Sequence, residues 1–234
     1  SLMLLNPYRF GGGGGGLFPT PEQTVSFVAG SYLNETSASN SRSIVIPGST
    51  EVGDLMVTTI LHVGTVTAPS GWTQYFNEAA GAGATRLSVW WKTAESGDPG
   101  ASRSWTQNVN SNFTVHYTIV RGASPISILN HATSAGTTGD TSIPMPECAP
   151  TNRGQFLIAA AARSSGSSYF PATASLSAGW TTRSVTSSAS APIRKLAGTR
   201  NAVNLSDVEG TFSYSPGAGS PGWRTIQMVI GYTP

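Results

Sequence analysis

Few side chains in this 234-residue chain could do chemistry: three histidines, eleven carboxylates and a single cysteine. Covalent hydrolysis needs a nucleophile beside a base, and glycoside hydrolysis needs two carboxyl groups flanking a cleft. His62 and His116 each fall inside an expected strand and His131 at a strand end, positions that suit imidazoles belonging to a face rather than catalytic bases. Asp207 and Glu209 share one face of an extended segment and read as a solvated edge, not as an acid/base couple or calcium ligands. Cys148 is alone, which excludes an intrachain disulfide, and no Cys/His cluster has metal-ligand spacing. Gly11 to Gly16 is not followed by Gly-Lys-Ser/Thr, so it is not a phosphate-binding loop. No catalytic residue, metal or cofactor is expected, and the chain is read as non-enzymatic.

Binding is the remaining class. Trp90 and Trp91 are adjacent, so in a strand their indoles point to opposite faces. At least one then faces away from the local core unless a neighbouring chain covers it, which makes the pair a surface-interaction candidate; burial on both sides is the alternative. Trp72 and Trp180 each sit in Gly-Trp-Thr, expected where a loop enters a strand, with glycine permitting the turn and the indole closing the core. Stacking of a sugar on Trp72, Trp90, Trp91 or Trp180 is the basis of a carbohydrate-binding alternative. The second binding candidate is the leader, in which Leu4, Leu5, Asn6, Pro7, Tyr8, Arg9 and Phe10 precede the six glycines. Its apolar side chains call for burial on a partner, and the glycines allow close approach or a flexible tether.

These residues must be positioned by strands. Only 10% of the chain is charged, against roughly 25% for ordinary globular domains. No 3.6-residue period survives three turns without Gly or Pro. Short β-branched and aromatic runs between turn residues predict strands near 24–28, 43–46, 55–63, 74–76, 86–93, 104–108, 113–121 and 126–131. A second set is expected near 141–145, 155–162, 181–186, 192–197, 210–214 and 223–232. The net charge of +2 is scattered, which gives no footprint for nucleic acid. No apolar run approaches the ~20 residues of a membrane-spanning helix, and membrane insertion is not expected.

The chain repeats itself. Ser43-Ile44-Val45-Ile46-Pro47 matches Ser142-Ile143-Pro144-Met145-Pro146, Gly53-Asp54-Leu55 matches Gly154-Gln155-Phe156, and Gly71-Trp72-Thr73 matches Gly179-Trp180-Thr181, in the same order. The expectation is an all-β protein: a jelly-roll-like β-sandwich over 24–234, built from related repeats at about 43–125 and 142–233, behind an extended anchor and glycine linker at 1–23. A single sandwich with pseudo-symmetric halves is favoured over two small ones packed together, because pairing the copies covers sheet edges.

Leu4-Leu5-Asn6-Pro7-Tyr8-Arg9-Phe10-Gly11 resembles the N-terminus shared by many tail-fibre, tail-tip and other minor virion proteins of tailed bacteriophages. Ile46-Pro47, Gly53-Asp54-Leu55, Pro69-Ser70-Gly71-Trp72-Thr73 and the strand end Arg121-Gly122 are similar to β-rich domains of such proteins. Residues 142–233 match more loosely, since Gln155 replaces the aspartate and no Arg-Gly closes the last strand. The resemblance implies a virion location and attachment to other virion proteins of tail or capsid through residues 4–10. It also implies a homo-oligomer, with a trimer among the options, and a host surface glycan or protein as a candidate target. A start at Ser1 fits removal of an initiator methionine and hence a complete small gene product. A small tail adhesin and a head-decoration protein are then the competing forms.

Overall fold

The computed structural model describes residues 24–33, 38–80, 85–111, 113–123, 125–136, 142–151, 155–163, 175–176, 179–186, 194–201, 211–213 and 222–232. The anchor 4–10, the glycine run and the Asp207/Glu209 pair lie outside them. Within the described residues every regular element is a strand. The first half holds β1 (Ser26–Tyr32), β2 (Ser39–Val45), β3 (Leu55–His62), β4 (Val66–Thr67), β5 (Thr73–Ala79), β6 (Arg86–Thr93), β7 (Ser102–Ser111) and β8 (Thr114–Arg121). The second holds β9 (Ile126–Gly136), β10 (Ser142–Pro144), β11 (Phe156–Arg163), β12 (Ser175–Leu176), β13 (Thr181–Thr186), β14 (Arg194–Asn201), β15 (Thr211–Ser213) and β16 (Trp223–Tyr232).

The two halves have one topology. Five-stranded sheets run β1-β8-β3-β6-β5 and, in the second half, β9-β16-β11-β14-β13; three-stranded sheets run β2-β7-β4 and β10-β15-β12. Each strand of the first half maps onto the strand eight places later, and all pairings are antiparallel. The repeat therefore begins at Ser26 and Ile126, earlier than sequence similarity alone locates it. Residues 126–131, expected to close the first set of strands, instead open the second, because β9 pairs with β16 from Ile126↔Tyr232 to Gly136↔Trp223.

The side chains divide into three cores. Leu55, Val57, Leu61, Leu87, Val89 and Val120 of the first five-stranded sheet pack against Phe156, Ile158, Ala160, Ile226, Met228 and Ile230 of the second. On the other face of β3, Met56 and Ile60 meet Ile44, Ile46 and Trp105 of the three-stranded sheet. Leu157, Ala159, Ala161 and Val229 likewise face Ile143 and Met145. The result is four layers of three, five, five and three strands: each half is itself a two-sheet sandwich with its own core, and the two pack through their five-stranded sheets, so the arrangement is the alternative of two small sandwiches packed together rather than the favoured single one. All eight residues of β3 are buried, because this strand is covered on both faces. Ala159–Ala162 forms strand despite the helical preference of alanine, with Ala160 and Ala162 facing the first half and Ala159 and Ala161 the outer sheet; Cα atoms of β11 and β6 come within 8 Å, closer than the ~10 Å usual between sheets.

Contacts across the middle fix how the halves meet. The Arg183 guanidinium on β13 lies 3.6 Å from the ring centroid of Phe27 on β1. Tyr75 Oη on β5 shares a 3.0 Å hydrogen bond with His131 Nδ1 on β9. Arg224 on β16 donates to the Ala79 carbonyl at 2.9 Å and pairs with Glu78 at 2.7 Å. So β1 opposes β13 and β5 opposes β9, the arrangement of a pseudo-two-fold axis running along the strands. The edge strands repeat even in their irregularities: the register skips Val28 and Leu129 in β1 and β9, and Tyr75 and Arg183 in β5 and β13. The latter two bulge residues both reach across the middle layer, as Arg224 also does. Bulged edges also resist pairing with further strands.

Candidate interaction surface at one end of the stack

Glu51-Val52-Gly53-Asp54 and Glu95-Ser96-Gly97-Asp98 form turns with one hydrogen-bond pattern, although Gly53 has a positive φ and Gly97 does not. Asp54 Oδ2 accepts from the Glu51 amide at 2.8 Å while the Asp54 amide donates to the Glu51 carbonyl at 3.1 Å. Asp98 does the same with Glu95, at 2.9 and 3.0 Å. Such side-chain-to-backbone bonds close a turn without a strand partner. The turns are also joined, with the Gly53 amide donating to Ala94 O at 2.9 Å and the Ala94 amide to Asp54 O at 2.8 Å. Gly53 has φ +95, which glycine adopts without cost.

Closing the turns buries both carboxylates, and each has cationic partners. Arg121, at the end of β8, clamps Asp54 with Nε to Oδ1 at 2.7 Å and Nη2 to Oδ2 at 2.8 Å. Its remaining donors reach Glu51 at 2.7 Å and the Ser49 carbonyl at 3.0 Å. The bond to Asp54 foremost holds the guanidinium even more firmly protonated than usual. Asp98, with no exposed surface, takes Lys92 Nζ at 2.8 Å and Arg103 Nη2 at 2.8 Å. Burial alone would raise the Asp98 carboxyl, but the Lys92 hydrogen bond, the Glu95 amide and Arg103 outweigh it and hold it below the ordinary carboxylate range. These acids are consumed in holding turns, which leaves neither poised as a general acid or base.

Beside Arg121 lies an open cleft of about 360 Å³, lined by Glu51, Val52, Thr93, Arg121, Ala123 and Ile126 among others. Val52 is 68% exposed at its rim. The described chain begins here too: Tyr232 Oη accepts from the Ala123 amide at 2.8 Å and donates to the Thr24 carbonyl at 3.4 Å. One end of the stack thus gathers the emergence of residues 1–23, the crossover between halves and the last strand. Another depression, of about 350 Å³, lies at the opposite end. Its polar groups satisfy each other, Arg86 Nε donating to Asn77 Oδ1 at 2.7 Å and the Thr65 amide to Asn108 Oδ1 at 2.7 Å.

The residues singled out from sequence are placed as follows. Trp90 and Trp91 do point to opposite faces, but the chain covers both itself: Trp90 is buried against Trp105 with ring centroids 5.8 Å apart, and half-buried Trp91 packs on the core between the halves. As surface-interaction residues they are corrected, because outer and partner sheets lie over both faces of β6. Trp72 and Trp180 are buried at the starts of β5 and β13, each after a glycine with φ +84 or +86, as the Gly-Trp-Thr reading requires. Trp72 stacks on Tyr117 at 5.4 Å. His62 and His116 are buried inside β3 and β8. His131 lies within β9 rather than at its end. Cys148 is buried and free, and burial raises its thiol pKa. Among the described residues no three His, Cys, Asp or Glu side chains are grouped to hold a metal.

The Asp98 network went unread in the sequence; its signal was the recurrence of Glu-x-Gly-Asp at 51 and 95. The Asp54–Arg121 clamp had a subtler trace. In the second repeat the equivalent positions are Gln155 and Gly231, so both partners are replaced together. Gln155 keeps the turn half of the role, accepting from the Thr151 amide at 2.8 Å. No protein-family model, curated protein or solved structure matches this chain.

Proposed function

We propose that this chain is a non-enzymatic structural protein of a tailed-bacteriophage particle, tail-associated as part of a fibre or tail tip, and fastened through its N-terminal segment. The observation that carries the reading is the pairing of two features. The body is a strand stack whose two buried carboxylates, Asp54 and Asp98, and whose tryptophans are spent on its own turns and cores. The leader, resembling phage virion proteins in Leu4-Leu5-Asn6-Pro7-Tyr8-Arg9-Phe10, has apolar side chains that need a partner's surface. Because Thr24 leaves the stack at one end, a leader fastened to a particle projects the opposite end outward, where a host-surface glycan or protein is met.

Deleting residues 1–16 tests the reading. The truncated protein should fold and remain soluble yet be missing from purified particles; normal incorporation would refute anchorage by the leader. Copy number separates the tail form from capsid decoration: a few to a few dozen per particle supports the tail, and hundreds support the head. A carbohydrate-binding module is less favoured, because Trp72, Trp90 and Trp180 are buried and Trp91 half-buried, leaving none of them as an open stacking platform.

A further inference from the structure

We propose that the depression at the end of the stack away from Thr24 binds the carboxylate of an acidic sugar, through Arg86 and the side-chain amides of Asn77 and Asn108. The site rests on the side chains of this chain alone; only a host surface as the source of the sugar rests on the virion reading.

The mutual bonds of the depression use up its acceptors and leave donors over. Asn77 Oδ1 accepts from Arg86 Nε at 2.7 Å and the Asn77 carbonyl from Arg86 Nη2 at 2.9 Å. Asn108 Oδ1 accepts from the Thr65 amide at 2.7 Å and the Thr65 carbonyl from the Asn108 amide at 3.1 Å. The Gly64 carbonyl is taken by His62 Nδ1 at 2.6 Å. Each side-chain amide oxygen faces a group that can only donate, which fixes each Nδ2 as well, and Nδ2 can only donate. Among the described residues, Asn77 Nδ2, Asn108 Nδ2 and Arg86 Nη1 reach no acceptor. All three belong to residues that line the depression.

Charge and shape agree with this donor excess. Among the described residues Glu51, Asp54, Glu95 and Asp98 are held in ion pairs at the Arg121 end and Glu78 by Arg224, and no carboxylate pairs with Arg86. Residues 81–84, between β5 and β6, carry no charge either. A half-buried guanidinium flanked by two amide donors is the arrangement that recognises a carboxylate and the hydroxyls beside it. Opposite the donors, Val63 and exposed Val109 supply apolar surface for the C–H face of a ring. The volume of about 350 Å³ equals roughly a dozen waters at about 30 Å³ each, room for one sugar ring. Close approach shapes the wall: a Cβ at Gly64 would fall 2.7 Å from Val109 Cγ2 and closer still to Asn108 Oδ1, so glycine there lets β7 close over the floor.

The test titrates the full chain, labelled with heavy nitrogen, with sodium glucuronate and follows the side-chain amide signals by NMR. Glucuronate should move the signals of Asn77 and Asn108 with millimolar affinity, and glucose, its neutral counterpart, should bind about tenfold more weakly or not at all. Arg86→Gln should weaken glucuronate binding about tenfold. Asn108→Asp keeps the oxygen that the Thr65 amide needs, so the turn stays closed, but it sets a negative charge in the depression and should abolish binding. Glucose binding as tightly as glucuronate, full affinity in Asn108→Asp, or amide signals that stay in place throughout the titration would overturn the site. Acetate or a tri-glutamate peptide binding as tightly as glucuronate would overturn the sugar as its ligand. The titration needs no particle, so its failure is distinct from a failure of the leader deletion, which reads incorporation.

Discussion

Acid should loosen this fold from about pH 6.5 downward, and His62 is the reason. Its imidazole has no exposed surface, shares a 2.6 Å hydrogen bond between Nδ1 and the Gly64 carbonyl, and finds no partner for Nε2 among the described residues. Burial foremost, opposed by the Gly64 bond and aided by the Arg86 charge opposite on β6, lowers its pKa from 6.5 to about 4. Above pH 6.5 the imidazole is neutral in both folded and unfolded chains and costs nothing. As the pH falls below 6.5 the unfolded chain gains a proton that the folded chain refuses until about pH 4, so stability drops across that window. At about 1.4 kcal/mol per pH unit the loss is about 2 kcal/mol at pH 5 and approaches about 3 kcal/mol near pH 4. Urea denaturation at pH 7.5, 6, 5 and 4.5 measures it, with His62→Gln as the non-titrating comparison. Wild-type protein should lose about 2 kcal/mol more than the variant between pH 7.5 and 5. Parallel pH profiles for the two proteins would refute the assignment of acid sensitivity to this group.

Three further outcomes follow from named contacts. Arg121→Ala strands the Asp54 carboxylate at 2% exposure and should cost about 3 kcal/mol by chemical denaturation, most of it recovered by adding Asp54→Gln, the residue type of the second repeat. Gly71→Ala and Gly179→Ala force an L-residue to φ near +85 and should each cost about 1–2 kcal/mol; lying in different halves, they should add within about 0.5 kcal/mol in the double variant. Trp105→Phe keeps most of the apolar bulk but removes the 2.7 Å bond from Nε1 to buried Tyr117 Oη, for a loss of about 1–3 kcal/mol in thermal or urea unfolding.

What the sequence disclosed depended on how local the cause was. Strand β8 was readable because Phe113, Val115, Tyr117 and Ile119 line one face while Thr114, His116, Thr118 and Val120 make the other a mixed one, and Gly71-Trp72 and Gly179-Trp180 were readable because a positive φ selects glycine at a fixed offset from the strand. In β3 and β11 the residue types on the two faces are alike, and the runs 55–62 and 156–162, buried on both faces, announce strand without saying which side meets what. The loyalty of β9 was hidden for a different reason. Its sequence sits five residues after Arg121, while the partner that claims it, β16, lies near the far end of the chain. Trp90 and Trp91 were correctly split between faces, yet the sheets that cover them come from β7 and from the second half, which no local pattern contains. The Asp54–Arg121 clamp joins residues 67 apart and surfaced only as a paired loss between repeats.

Imaging purified particles at a resolution that distinguishes strand layers tests the central claim most directly. The account predicts the four-layer stack at a tail or head position, with the end bearing Thr24, Ala123 and the Glu51–Asp54 turn toward the particle and Leu4 to Phe10 buried in a neighbouring subunit. A stack seated by its opposite end, or particles that carry none of this protein, would contradict it.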